Sequence, residues 1–207
     1  MIRYYSIGAA AFVVALLGVL GWLILADRSG GDRFAQCRET AIAGGVASVG
    51  GPFELIDHTG RAVTDAEVIT EPALLYFGYT FCPDVCPLDM ARNALVAELL
   101  EERGHDLLPV FVSVDPQRDT PEVLAEFVGI FHPRGIGLTG SEGQVREAAR
   151  VYRAFYNVHP AEDDFYLVDH STFTYLVLPE EGFVEVFRRT DTAPDMADRV
   201  ACFLDRR

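Results

Sequence analysis

Apolar and polar positions change rhythm several times along this chain. Ile7 to Ala26 carries no charged side chain, and about twenty residues at helical rise span a bilayer core, so a membrane-spanning anchor is expected over 7–26 after a short amino-terminal segment, 1–6. Its length and the poor cleavage match at Leu23-Ile24-Leu25-Ala26-Asp27 favour a retained anchor over a signal peptide. Residues 27–51 turn polar and then small and glycine-rich from Ala43 to Gly51, the composition of a stalk or linker. A single domain is expected over 52–207.

Within that domain the pattern alternates between strand and helix. Phe53 to Asp57, the turn His58-Thr59-Gly60 and Arg61 to Val63 read as a hairpin. Ala73 to Tyr79 and Leu107 to Val114 are continuous apolar runs, the signature of strands buried on both faces. Pro87 to about Arg103 carries a stripe of Leu88, Ala91, Leu95, Leu99 and Leu100, and Gly104 stops it. Thr120-Pro121 opens a helix to about Gly129, and Ser141 with Gln144 forms a capping box for a helix through about Phe155. Ile136 to Leu138 is a short strand between them. Thr172 to Leu178 and Phe183 to Phe187 read as a hairpin, and Thr192, Pro194 and Asp195 begin a last helix. The order predicts an α/β domain of thioredoxin-like plan: a mixed central sheet with helices on both faces, an N-terminal hairpin extension and one preceding transmembrane helix.

Charge narrows the chemistry. The net charge is -14 and all 17 cationic side chains are arginine, because the chain contains no lysine. Such a balance argues against nucleic acid as a partner and excludes lysine Schiff-base chemistry. Solubility explains it, and so would steering of a cationic partner or a cuprous ion. Four cysteines permit two pairs, Cys82 with Cys86 and Cys37 with Cys202, if the domain faces an oxidising compartment; two unpaired thiols are the alternative for the second pair.

The stretch Thr80-Phe81-Cys82-Pro83-Asp84-Val85-Cys86-Pro87 runs a buried strand into a loop with two thiols. Pro87 suits the first position of a helix, so Cys86 is expected near a helix N-terminus, where a thiolate is favoured. Two cysteines at that spacing can form a disulfide, chelate a soft metal or pack, and a third ligand decides between the first two. His58, His105, His132 and His159 are each expected to be solvated loop residues. His170 precedes an apolar strand, on a loop that faces the cysteines in a thioredoxin-like sheet. It could complete a Cys82, Cys86, His170 triangle with Asp169 orienting the ring, or it could simply cap a strand end. Two thiolates and an imidazole fit Cu(I), accept Cu(II) with a further ligand, and also suit zinc; ligand type does not choose. Met90, one turn beyond Cys86, is expected in the core.

Three motifs, Tyr76 to Pro87, Ser113-Val114-Asp115-Pro116-Gln117-Arg118-Asp119-Thr120-Pro121, and Asp169-His170-Ser171 with Tyr175-Leu176, together resemble the SCO/SenC family of membrane-anchored copper proteins. The resemblance implies copper, Cu(I) or Cu(II), bound by Cys82, Cys86 and His170, with Asp169 and Asp84 beside the ligands. It implies delivery to the copper-bearing subunit of cytochrome c oxidase during assembly of its binuclear copper centre, with another copper chaperone as a further partner. The soluble domain would face the periplasm or an equivalent non-cytoplasmic side, and a Cys82–Cys86 disulfide would be the empty state. The rival is a thiol-disulfide oxidoreductase using Cys82 or Cys86 on oxidase-subunit or chaperone cysteines. Against that rival stand three residues between the cysteines, where thioredoxins use two, and His170 where they place a proline. The motif from Asp115 to Pro121 is expected to be a structural loop.

Overall fold

A computed structural model describes residues 12–22, 32–41, 45–159 and 165–207. Residues 12–22 are helical. Among the described residues no helix is long and apolar enough to cross a membrane, and the expected anchor, 7–26, extends beyond them on both sides. Met1–Gln36 and Cys37–Arg207 form two separate units; the second holds the fold.

Among the described residues nine strands and five α-helices build it: β1 (Glu54–Asp57), β2 (Ala62–Thr64), α1 (Asp65–Val68), β3 (Ala73–Gly78), α2 (Val85–Glu101), β4 (Leu108–Ser113), α3 (Pro121–Phe131), β5 (Ile136–Thr139), α4 (Glu142–Val151), β6 (Tyr156–Val158), β7 (Val168–His170), β8 (Thr174–Leu178), β9 (Gly182–Phe187) and α5 (Ala193–Leu204). Seven strands form one mixed sheet in the order β2-β1-β5-β4-β3-β8-β9. Its centre, β3 to β5, is parallel, and the hairpins β1–β2 and β8–β9 join it antiparallel on either side. The two apolar runs become β3 and β4, buried at every position, because helices cover both faces. Tyr76 and Thr174 point to α2, meeting Asp89 and Asn93, and Phe111 meets Phe127 of α3. Phe77 and Tyr175 point the other way, to Tyr152 at the end of α4.

The helix starts follow their caps. Thr120, Ser141 and Thr192 each accept a backbone N–H of the first turn through the side-chain oxygen. Boundaries and faces depart from the sequence reading at several places. In α2 the expected stripe holds only at its end: Leu100 is buried and Leu99 half-buried, but Leu88, Ala91 and Leu95 are exposed, with Cys86, Met90, Ala94 and Ala97 buried in their place. Apolar residues surround this helix, so periodicity does not choose a face; packing against the sheet and α5 does. α3 continues past Gly129 to Phe131, stopping before Pro133. α4 stops at Val151, because Arg153 adopts a left-handed φ of 52°, and the residues beyond it form β6. Finally, β6 pairs with β7 in a separate two-stranded sheet, matching Tyr156 with His170.

A disulfide joins Cys37 to Cys202, 165 residues apart. It pins the segment that runs beside β9, where Arg38 Nε donates to the Val184 carbonyl and Thr40 Oγ1 to that of Val186. The Glu39 N–H donates to Glu185, whose buried carboxylate also pairs with Arg199. Replacing Cys202 by Ser is expected to lower stability by about 2–5 kcal/mol through the freed loop, measured by urea unfolding of the oxidised chain.

Candidate metal centre

β3 ends at Gly78, and the chain turns through Thr80 and Phe81 before α2 begins at Val85. Cys86 is therefore the second helical residue and Pro87 the third, not the first as expected. Proline is accommodated because the first N–H groups of a helix have no intrahelical acceptor. One of those free groups, the Cys86 N–H, points at the Cys82 sulfur at 3.4 Å. The second arm comes from β7: His170 closes that strand and brings Nε2 to 3.3 Å from the Cys86 sulfur. The ligand atoms of Cys82, Cys86 and His170 all lie within 4.8 Å of one another. The three residues singled out from sequence thus meet, although His170 lies 84 positions beyond Cys86.

Orientation of the imidazole differs from the expectation. Asp169 turns outward and pairs with His159 Nε2 at 2.6 Å, because successive strand residues face opposite ways. His170 Nδ1 instead lies 3.1 Å from the Ser171 carbonyl. A carbonyl only accepts, so the ring proton sits on Nδ1 and the Nε2 lone pair faces the sulfurs. The rings of Tyr76 and Tyr79 meet the imidazole edge-on, with centroids at 6.0 and 5.8 Å. Asp84 is exposed at the N-cap without a side-chain cap bond and acts through its backbone N–H toward Cys82. His132, expected in solvent, is buried: its Nδ1 accepts the Arg134 N–H. Met90 is in the core as expected.

The two sulfurs are electrostatically unequal. A hydrogen bond from Cys86 outweighs burial and, with the N–H groups of Cys86 and Asp84, brings the Cys82 thiol down to about 3. Cys86 moves the opposite way, because its proton is shared with the Cys82 sulfur and its site is fully buried. Beneath it lies a polar pair that sequence reasoning missed. Tyr76 donates to Asp89 Oδ2 at 2.9 Å, and Arg92 Nη1 stands 3.5 Å from Oδ1. Burial pushes the Asp89 carboxyl up, opposed by Arg92. The only sequence signal was an aspartate one turn after Cys86, inside an apolar helix.

A family model described as SCO1/SenC matches residues 43–205. The chain belongs to the SCO1/SenC family. Protein SenC of Rhodobacter capsulatus is 49% identical over 200 residues, spanning 97% of this chain and 90% of its own. The structure of Arabidopsis thaliana ScoI with copper bound is 41% identical, with a TM-score of 0.74 over 77% of this chain and 99% of that one. BsSco, described as having a disulfide switch and as a member of the Sco family of cytochrome c oxidase assembly proteins, is 25% identical with a TM-score of 0.60, over 75% of this chain and 93% of that one. The thioredoxin-like fold and the family expected from the three motifs both hold.

Two predictions test the centre. With the Cys82 thiol depressed, its anion persists as pH falls from neutrality and is lost only as the pH approaches about 3. The thiolate ultraviolet absorbance of the reduced, metal-free chain is expected to stay level from pH 8 to pH 5, where an ordinary thiol loses about tenfold per unit below its pKa. Gly78 provides the second: a Cβ there would stand 2.8 Å from the Cys86 sulfur and 3.1 Å from the Phe111 ring. Gly78→Ala is expected to destabilise the domain by about 1–3 kcal/mol and to displace Cys86, seen as a lower thermal midpoint and faster Cys86 alkylation.

Proposed function

We propose that this chain carries copper on Cys82, Cys86 and His170 and delivers it to the copper-bearing subunit of cytochrome c oxidase while the binuclear centre is assembled. The observation that carries the reading is the convergence of two sulfurs and one imidazole nitrogen within 4.8 Å. That donor set suits a soft ion, and Cu(I) accepts three ligands of this kind. Membership in the SCO1/SenC family and the similarity to copper-bound ScoI support copper over zinc, and the description of BsSco supports the oxidase as destination.

The protein's part is to hold and release its cargo. Cys82 offers a ready thiolate, Cys86 gives up its proton as the ion binds, and the Ser171 carbonyl keeps the Nε2 lone pair turned inward. His170 is half-buried and Cys86 fully buried, so an incoming ligand displaces His170 first and Cys86 last. The Cys37–Cys202 bridge supports an oxidising compartment, which accords with an anchor over 7–26 and a domain facing the periplasm or an equivalent space.

A second reading draws on the unequal thiols. In a thiol-disulfide oxidoreductase the Cys82 thiolate attacks a partner's disulfide and releases one partner thiolate. Cys86 then displaces the mixed bond, leaving a Cys82–Cys86 disulfide and a reduced partner. His170→Ala separates the two. The copper reading expects Cu(I) affinity, measured against a competing chelator, to fall by more than the roughly 10–100-fold typical of losing an outer partner, and transfer to a copper-free oxidase subunit to fail. Wild-type affinity in His170→Ala would remove His170 from the site, and a wild-type chain that takes up no copper yet still reduces partner disulfides would falsify the copper reading.

A further inference from the structure

The loop from Ser113 to Pro121 joins β4 to α3 and buries two carboxylates: Asp115 is 2% exposed and Asp119 0%. Buried carboxylates are strongly unfavourable unless they are paired or hydrogen-bonded, and the partners of these two lie on the arms that bear Cys82 and His170. Asp119 accepts from the Thr80 N–H at 3.1 Å, the Thr80 hydroxyl at 2.6 Å and the Ser113 hydroxyl at 2.6 Å. Thr80 is two residues before Cys82. Asp119 therefore fastens the cysteine arm to the end of β4.

Asp115 serves the other arm. Its Oδ1 accepts from the Tyr166 hydroxyl at 2.6 Å, and its Oδ2 pairs with Arg118 Nε at 2.5 Å. Arg118 Nη1 in turn donates to the Tyr166 carbonyl at 3.0 Å. Tyr166 stands four residues before His170, at the approach to β7. The Arg118 guanidinium also lies over three rings, 3.6 Å from the Tyr166 centroid, 4.9 Å from that of Phe81, the neighbour of Cys82, and 5.7 Å from that of Tyr79. Arg118 thus touches both arms at once. Ser113 links the Asp119 carboxylate to the Asp115 backbone, donating to Asp119 and accepting the Asp115 N–H at 3.0 Å.

We propose that Asp119, Asp115 and Arg118 are positioning residues of the copper site, setting the spacing between the Cys82 arm and the His170 arm. The proposal rests on the copper reading and adds the element that makes the triangle before the ion arrives. Without it, binding would have to order two independent loops, and that ordering subtracts from affinity.

Four variants of the full chain test this: Asp119→Asn, Tyr166→Phe, Arg118→Lys and, as a remote control, Asp57→Asn. Asp57 is another buried carboxylate held by hydrogen bonds, from Thr59 and Arg61 in the β1–β2 turn. Amide exchange of the metal-free chain is expected to rise at residues 80–86 in Asp119→Asn and at 166–170 in Tyr166→Phe and Arg118→Lys. In those three variants Cu(I) affinity is expected to fall roughly 10–100-fold, and the sulfur-to-Cu(II) absorption band to shift, while Asp57→Asn loses stability with affinity and band unchanged. Wild-type affinity and band in Asp119→Asn and Tyr166→Phe overturns the proposal, as does an equal loss in Asp57→Asn. If the wild-type chain takes up no copper, the functional reading falls, and exchange judges the loop alone: unchanged protection in the variants overturns it, and lost protection at the two arms upholds it.

Discussion

The packing of the Cys86 sulfur against the backbone of β3 limits everything around it. A side chain at residue 78 would collide with that sulfur, with Tyr76 and with Phe111, so the strand must end in glycine. The helix N-terminus must then sit close above the sheet, where its free N–H groups face Cys82. That closeness buries Cys86 completely and leaves its neighbour with the negative charge. The sheet supplies rigidity on one side, and α5 braces α2 on the other.

Rigidity of one arm is not sufficient, because the imidazole arrives on a separate two-stranded sheet, outside the seven-stranded one. Its position depends on Tyr156 pairing with His170 and on polar contacts from the β4–α3 loop to the residues before β7. The centre is thus built from a stiff half and a half held by side chains. Such an asymmetry suits a group that must let go of an ion as well as hold it.

Much of this was readable in the chain. β3 and β4 were visible as uninterrupted apolar runs, the starts of α3, α4 and α5 in Thr120, Ser141 and Thr192, and the three converging residues in Cys82, Cys86 and His170. What escaped had no local signal. The inner face of α2 is chosen by elements distant in sequence, and β6 follows a left-handed Arg153 in a segment whose apolar pattern continues that of α4. Asp169 was assigned to the wrong neighbour because its true partner, His159, becomes adjacent only when β6 and β7 pair. The β4–α3 loop was expected to be structural; its bonds to both arms are long-range contacts that spacing does not reveal.

The bridge between Cys37 and Cys202 has a bearing on the order of synthesis. Cys37 emerges early, and the next thiols to follow it are Cys82 and Cys86. Its correct partner comes only with α5, the last helix of the domain. Throughout that interval an oxidant can join Cys37 to the wrong sulfur, and exchange is needed to undo the error. The native bridge therefore marks a domain made as far as α5, with that helix docked and both loop cysteines left free.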